Sequence, residues 1–166
     1  MNEQQLIEYM RDNFDTDLIE REGKFKRLKT GRMAGHKHFN TGYIRLSIYG
    51  RQYYAHRLVF LFCNGAFPVR QTDHINGIKH DNRIENLRDV SRSENMRNKG
   101  MQSNNKSGVC GLDMHKLSGT WRCQVHNGDR YIAKHFKLDQ RDEAIAYLAE
   151  AHAANGYTAR HGTKSR

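Results

Sequence analysis

Proline is nearly absent: Pro68 is the only one in 166 residues. No apolar run approaches the roughly 18 residues of a membrane span, which excludes a helical membrane protein. The three cysteines, Cys63, Cys110 and Cys123, form no CxxC pair. That argues against a disulfide framework and a four-thiolate zinc site, and for a reduced, intracellular setting. The opening MNEQQLIEYMRDNF carries acids and no apolar core, unlike a secretory signal. Acids are also the minority charge, 18 Asp and Glu against 28 Lys and Arg, leaving +10. Such an excess points to a polyanion partner, nucleic acid first and an acidic membrane surface second. With 37% hydrophobic and 28% charged residues the chain is neither collagen, coiled coil nor plain disorder. Its length suits one domain or two small ones and buries roughly 68–70% of the unfolded surface.

Local patterning divides the chain. Residues 2–14 place Leu6, Tyr9, Met10 and Phe14 on one helical face. A basic stretch from Arg21 to Lys37, punctuated by Gly23, Gly31 and Gly35, reads as turns and short strands. Tyr43–Ile48 and Arg51–Ala55 form a hairpin about Tyr49-Gly50, and a helix over His56–Cys63 ends at Asn64-Gly65. Ser91 and Glu94 make a capping box for a short helix from Arg92 to Lys99. GMQSNNKSG, from Gly100 to Gly108, reads as a flexible linker. Beyond it come strands over Val109–Met114, Thr120–His126 and Arg130–Phe136. The second alternates Trp121, Cys123 and Val125 with Arg122, Gln124 and His126, and Asn127-Gly128 supplies a hairpin turn. A helix capped by Asp139 runs to about Asn155, with Ala144, Ile145, Leu148 and Ala151 facing the sheet.

The chemistry concentrates in Asp73 to Lys99. Phosphodiester hydrolysis needs a base that takes a proton from water at neutral pH, which suits histidine. It also needs positive charge on the phosphate and the departing oxygen, which a hard cation supplies through few protein oxygens. His74 offers the base; Asp73 and Asn95 offer oxygens. Neighbouring side chains of an extended segment point apart, so a bulge or turn must bring Asp73 and His74 to one site.

This stretch resembles the HNH endonucleases, the ββα-metal nucleases, and their phage and homing-type members in particular. Asp73-His74 form the DH pair, Asn86-Leu87 follows twelve residues after His74, and Asn95 lies nine beyond Asn86. The resemblance covers residues 40–99, with Gly42-Tyr43, Gly50 and Tyr54-Ala-His-Arg-Leu58 upstream, and 1–39 less closely. It implies His74 as general base, Asp73 and Asn95 as metal ligands, and Asn86 as the residue that fixes the loop orienting His74. An asparagine at the third position favours Mg2+ over zinc or nickel, with Mn2+ as a candidate substitute. His56 is read as structural, a helix cap or a phosphate contact, and His80 as an exposed loop residue.

The C-terminal part resembles the AP2-type DNA-binding domain, through Gly108-Val-Cys-Gly-Leu112, Gly119-Thr-Trp-Arg122, Phe136 and Glu143-Ala-Ile-Ala-Tyr147. Asp113 and Lys134 depart from that pattern. The resemblance implies a three-stranded antiparallel sheet on one helix. An antiparallel ribbon fits the major groove, where arginine reads guanine and glutamine adenine. Arg122, Gln124, His126, His115, Arg130 and Lys134 are the candidate DNA contacts here, with Arg88 and Arg97 flanking the nuclease motif.

The expectation is therefore an α+β protein: a ββα-metal HNH nuclease domain at 1–99, a linker at 100–107 and an AP2-like domain at 108–166. It would cut double-stranded DNA as a monomer or homodimer, nicking or breaking both strands, with no membrane and no protein partner evident. Its place would be intracellular, the host cytoplasm if phage-encoded. The alternative is a sequence-specific DNA-binding regulator with an inactive HNH fold. An RNA-directed activity is a third reading, although the common aromatic RNA-stacking motif is missing.

Overall fold

A computed structural model describes residues 1–127 and 130–163. The chain forms two compact units, Met1–Arg92 and a second from Ser93 onward, parting earlier than the expected linker at 100–107.

The first unit opens with α1 (Glu3–Asn13), whose Asn2 cap and Gln5 satisfy each other's main-chain amides at 2.9 Å. It buries Leu6, Ile7, Met10 and the following Phe14, with Tyr9 half-buried. A second helix, α2 (Thr16–Glu22), lies between an Asp15 cap and Gly23. The sequence reading leaves it out, because seven residues that bury only Ile19 show too little periodicity. Gly23 has φ +62°, and a Cβ there would fall 2.1 Å from the Asn82 carbonyl oxygen. This close approach, which only glycine permits, seats the loop that carries Asn82.

The basic stretch becomes β1 (Phe25–Lys26) paired with β2 (Met33–Ala34), and β3 (His36–Lys37) paired with β4 (Ile44–Ile48). β4 pairs with β5 (Arg51–Tyr54), in register Ile48 with Arg51. Tyr49 and Gly50 both have positive φ, 47° and 78°, as a two-residue hairpin requires. From β5 the chain passes directly into α3 (Ala55–Asn64), which ends at Gly65 with φ 78°. Leu58, Val59 and Leu61 of α3 join Leu6, Met10, Phe14, Ile19, Phe25, Leu46 and Ile48 in one core. β6 (Gln71–His74) then pairs antiparallel with β7 (Leu87–Val90), Asp73 opposite Arg88 and His74 opposite Leu87. A single 3-10 turn, Ile84–Asn86, leads into β7.

One residue after β7 comes α4 (Arg92–Arg97), shorter than the expected Arg92–Lys99, because Asn98 and Lys99 already form turn-like bonds. The second unit holds β8 (Leu112–His115), β9 (Thr120–Asn127) and β10 (Arg130–Phe136), an antiparallel sheet in the order β10-β9-β8. α5 (Arg141–Ala154) packs on it through Ala144 and Leu148 against Leu112, Cys123 and Val125.

Three expectations are corrected here. The first strand begins at Leu112 rather than Val109, because Gly108 and Gly111 take positive φ and the Asn105 and Ser107 side chains occupy the Val109 carbonyl. Asp139 does not cap the helix; it lies in a 3-10 turn, Leu138–Gln140, ahead of α5. The stretch at 100–107 is pinned rather than loose where these bonds form, and the Met101 amide also donates to the Thr163 carbonyl at 2.8 Å. Gly128 of the expected Asn127–Gly128 turn lies outside the described residues.

Candidate active site

The β6/β7 pair and its connecting loop build a polar, buried constellation. Asp73 is 8% exposed and His74 3%. Cross-strand register puts Asp73 beside Arg88, and the guanidinium grips one carboxylate oxygen: Nε and Nη2 donate to Asp73 Oδ2 at 3.0 and 2.7 Å. Arg88, expected on the DNA, is thus held at the motif carboxylate.

The His74 ring meets Asn82, which is 2% exposed, through Nε2 and Oδ1 at 3.1 Å. An amide oxygen only accepts, so Nε2 carries the proton and the neutral ring's lone pair is on Nδ1. Asn82 is the residue that sets the tautomer. Behind His74 stand Tyr43, with centroids 5.7 Å apart, and His56, edge-on at 5.1 Å. His56 in turn stacks on Tyr54 at 5.4 Å, and the Arg45 guanidinium lies 4.8 Å over Tyr54. His56 therefore neither caps α3 nor faces solvent; it is buried against the candidate base.

Asn86 closes the loop. Its Oδ1 accepts from the Asn76 amide at 2.9 Å, and its Nδ2 donates to the Asp81 carbonyl at 2.7 Å and to Asn76 Oδ1 at 3.0 Å. Its own carbonyl accepts from Ile75, next to His74, at 2.9 Å. Arg83 binds Asp81 through two bonds of 2.8 Å, which hold that carboxyl down at about 2. His80 is exposed.

Burial governs the two histidines. It pushes His56 down to about 3, with the neighbouring His74 and Arg57 adding to the effect. It also lowers His74, although Asn82, Asp73 and Asp81 pull the other way. Unfolded, His56 takes up a proton below about 6.5; folded, it stays neutral until about 3. Protons therefore favour the unfolded chain across that window, and stability declines as pH falls through it. We expect His56 to cost about 2 kcal/mol between pH 7.5 and 5. Urea unfolding at the two pH values reads this; a His56→Leu variant should show a shallower decline, and an equal one would refute the assignment.

The remaining candidates lie in the second unit. Asn95 is on α4, half-buried, and Arg97 Nη2 donates to Ser93 Oγ at 3.0 Å. On the sheet, cross-strand register puts Arg122 opposite Asp113 and His115 opposite Thr120, sharing the face turned away from α5 with Gln124 and His126. Arg122 is not open-handed: Nε and Nη2 donate to the two Asp113 carboxylate oxygens at 3.1 and 2.6 Å. With its oxygen turned toward the cation, Gln124 accepts from Arg122 Nη2 at 2.9 Å. His115 Nδ1 contacts Ser118 Oγ at 2.8 Å, and His126 stands edge-on to Tyr131. Arg130 and Lys134 fall on the opposite face by the same register. Lys134 lies 4.5 Å over the Tyr147 ring of α5, so it rests on the helix side of the sheet.

Among the described residues no group of three or more His, Cys, Asp or Glu side chains gathers for a metal. The oxygen donors named from the motif are the Asp73 carboxylate and the Asn95 amide oxygen. That set fits a hard cation which keeps water and substrate oxygens as its other ligands, and suits neither thiolate- nor imidazole-seeking metals.

The β6/β7 pair thus brings together a buried imidazole bonded to an asparagine and an aspartate clamped by an arginine. The chain matches the HNH endonuclease family over residues 53–97, from β5 through α4, spanning Asp73, His74, Asn86 and Asn95. This match supports an HNH nuclease. No curated protein and no solved structure matches the chain. Among the described residues no helix is long and apolar enough to cross a membrane.

Proposed function

We propose that the protein is a metal-dependent endonuclease of the homing HNH type, hydrolysing phosphodiester bonds of double-stranded DNA at selected sites. The observation that carries this reading is His74: buried and hydrogen-bonded to Asn82, inside the segment that matches the endonuclease family. His74 Nδ1 takes a proton from water. The water oxygen bonds to phosphorus, the bond to the 3′ oxygen breaks, and the ends are a 5′-phosphate and a 3′-hydroxyl. Asp73 and Asn95 would hold Mg2+. Bound there, it supplies positive charge for the crowded phosphate and the leaving oxygen. Arg88 keeps the Asp73 carboxylate in one orientation, and Asn86 keeps the loop from turning His74 away.

We assign the β8–β10 sheet an AP2-like role, with His115, Arg122, Gln124 and His126 toward DNA and Arg130 and Lys134 outside that surface. The nuclease comprises residues 1–99 in this scheme, and the reader 108–166.

The test begins with duplexes selected by binding from a randomised pool, so that the target need not be known. Magnesium should release nicked or broken product from those duplexes, and EDTA should abolish it without releasing the protein. Bound duplexes that stay whole in magnesium and in manganese would sink the reading.

A further inference from the structure

We propose that the segment Thr158–Thr163 is a clasp on α4 that positions Asn95, making Thr158, Arg160 and His161 positioning residues for a site to which they contribute no atom. The inference rests on Asn95 as a metal ligand. It starts from an imbalance. α4 has only six residues and buries none of its side chains. A helix that short does not persist by itself, and its last carbonyls have no partner within the helix.

The Asn98 and Lys99 amides take the Glu94, Asn95 and Met96 carbonyls, and the clasp takes the Arg97 carbonyl and holds the two residues that follow it. The Thr158 amide donates to the Arg97 carbonyl at 3.3 Å, and the Gly162 amide to the Lys99 carbonyl at 3.2 Å. Arg160 Nη1 donates to the Asn98 carbonyl. The Thr158 hydroxyl donates to Asn98 Oδ1 at 2.8 Å, and Asn98 is 2% exposed. The His161 ring lies against the main chain of Met96 and Arg97. Three consecutive residues, Arg97 to Lys99, are thereby held by hydrogen bonds from one side, two positions after Asn95.

The clasp is itself anchored. His152 near the end of α5, Tyr157 and His161 form a ring cluster with centroids 4.4 to 4.8 Å apart. A Cβ on Gly162 would lie 2.8 Å from Cys110 Cβ, so this turn is pressed against the chain ahead of β8. The Tyr157 hydroxyl accepts from the His126 amide at 3.0 Å and donates to its carbonyl at 3.3 Å. A single stretch thus touches β9 at one end and α4 at the other. Disturbing it should loosen α4, and Asn95 with it, without removing a side chain of the motif.

The test uses the full chain. Thr158→Val removes the hydroxyl bond to Asn98 at nearly constant volume, and Thr158→Val with Arg160→Gln removes both side-chain bonds. Hydrogen exchange without metal should quicken at the amides of residues 96–99 and stay unchanged in β9. Cleavage of the selected duplex should fall between about ten- and a hundredfold, as small misplacements of a reacting constellation do. Duplex binding should hold, and Thr158→Ser should restore both readouts. Asn95→Ala serves as the separate control: lost cleavage with unchanged exchange supports its ligand role, whereas retained cleavage overturns that role and the positioning claim with it, leaving any exchange change as packing alone. Unchanged exchange in both clasp variants overturns the clasp. Faster exchange with full cleavage overturns positioning. If the double variant melts, Thr158→Val alone decides by the same two readouts.

Discussion

Replacing His74 with alanine should lower the cleavage rate by about 10²–10⁴-fold, the usual contribution of a general base, while duplex binding survives. On a barrier scale that is about 2.7–5.5 kcal/mol. The side chain is 3% exposed and donates to Asn82, so alanine also leaves a cavity and a buried amide oxygen without its donor. That should cost about 1–3 kcal/mol of stability. Folding loss and catalytic loss are separated by His74→Gln, which retains an N–H donor but no titratable base. Both variants should be slow, and alanine should be the less stable. Because burial lowers His74, the wild-type rate should persist below the ordinary histidine range and fall only once the ring is protonated. A His74→Gln enzyme that cuts at the wild-type rate would remove His74 from the mechanism.

Asp73→Asn is the second large effect. The change keeps the shape and removes the one carboxylate of the proposed ligand set. It also leaves the Arg88 guanidinium without a counter-charge, and that side chain is one-third exposed. We expect cleavage at fixed magnesium to fall by about three orders of magnitude, roughly 4 kcal/mol of barrier. The magnesium concentration for half-maximal rate should rise, which His74→Gln should not cause. A destabilisation of about 1–3 kcal/mol should accompany it from the lost charge-assisted bonds. Unchanged magnesium dependence would show that Asp73 holds Arg88 and nothing else.

What the sequence made legible was chemistry that lies close along the chain. Asp73, His74 and Asn86 fall within fourteen residues, and their spacing announces a motif before any strand is built. Their supports were not legible. His56, Tyr43 and Tyr54 come from the β4–α3 region and reach His74 only through tertiary packing. Arg88 reads as one more cation near DNA until the β6/β7 register sets it opposite Asp73. The same arithmetic decides Arg130 and Lys134: alternation along β10 is plain, but which half of it shares Arg122's side depends on the pairing across a turn. In α2 a single buried residue gave periodicity nothing to detect. The helices that do stand out, α1, α3 and α5, bury two or more side chains each.

The ion pair on the open face of β8 and β9 changes how that surface would meet a polyanion. Arg122 already has its counterion, fixed in the fold as Asp113. A phosphate approaching there meets a carboxylate that repels it and a cation whose charge is already balanced, so Arg122 neutralises no phosphate and adds nothing to the salt slope that sequence-blind contacts produce. A guanine edge behaves differently, since its acceptors can share the guanidinium without carrying a negative charge. In the proposed DNA-reading role the built-in carboxylate would act as a filter, discouraging residence on arbitrary duplex while leaving recognition of the right base nearly undiminished.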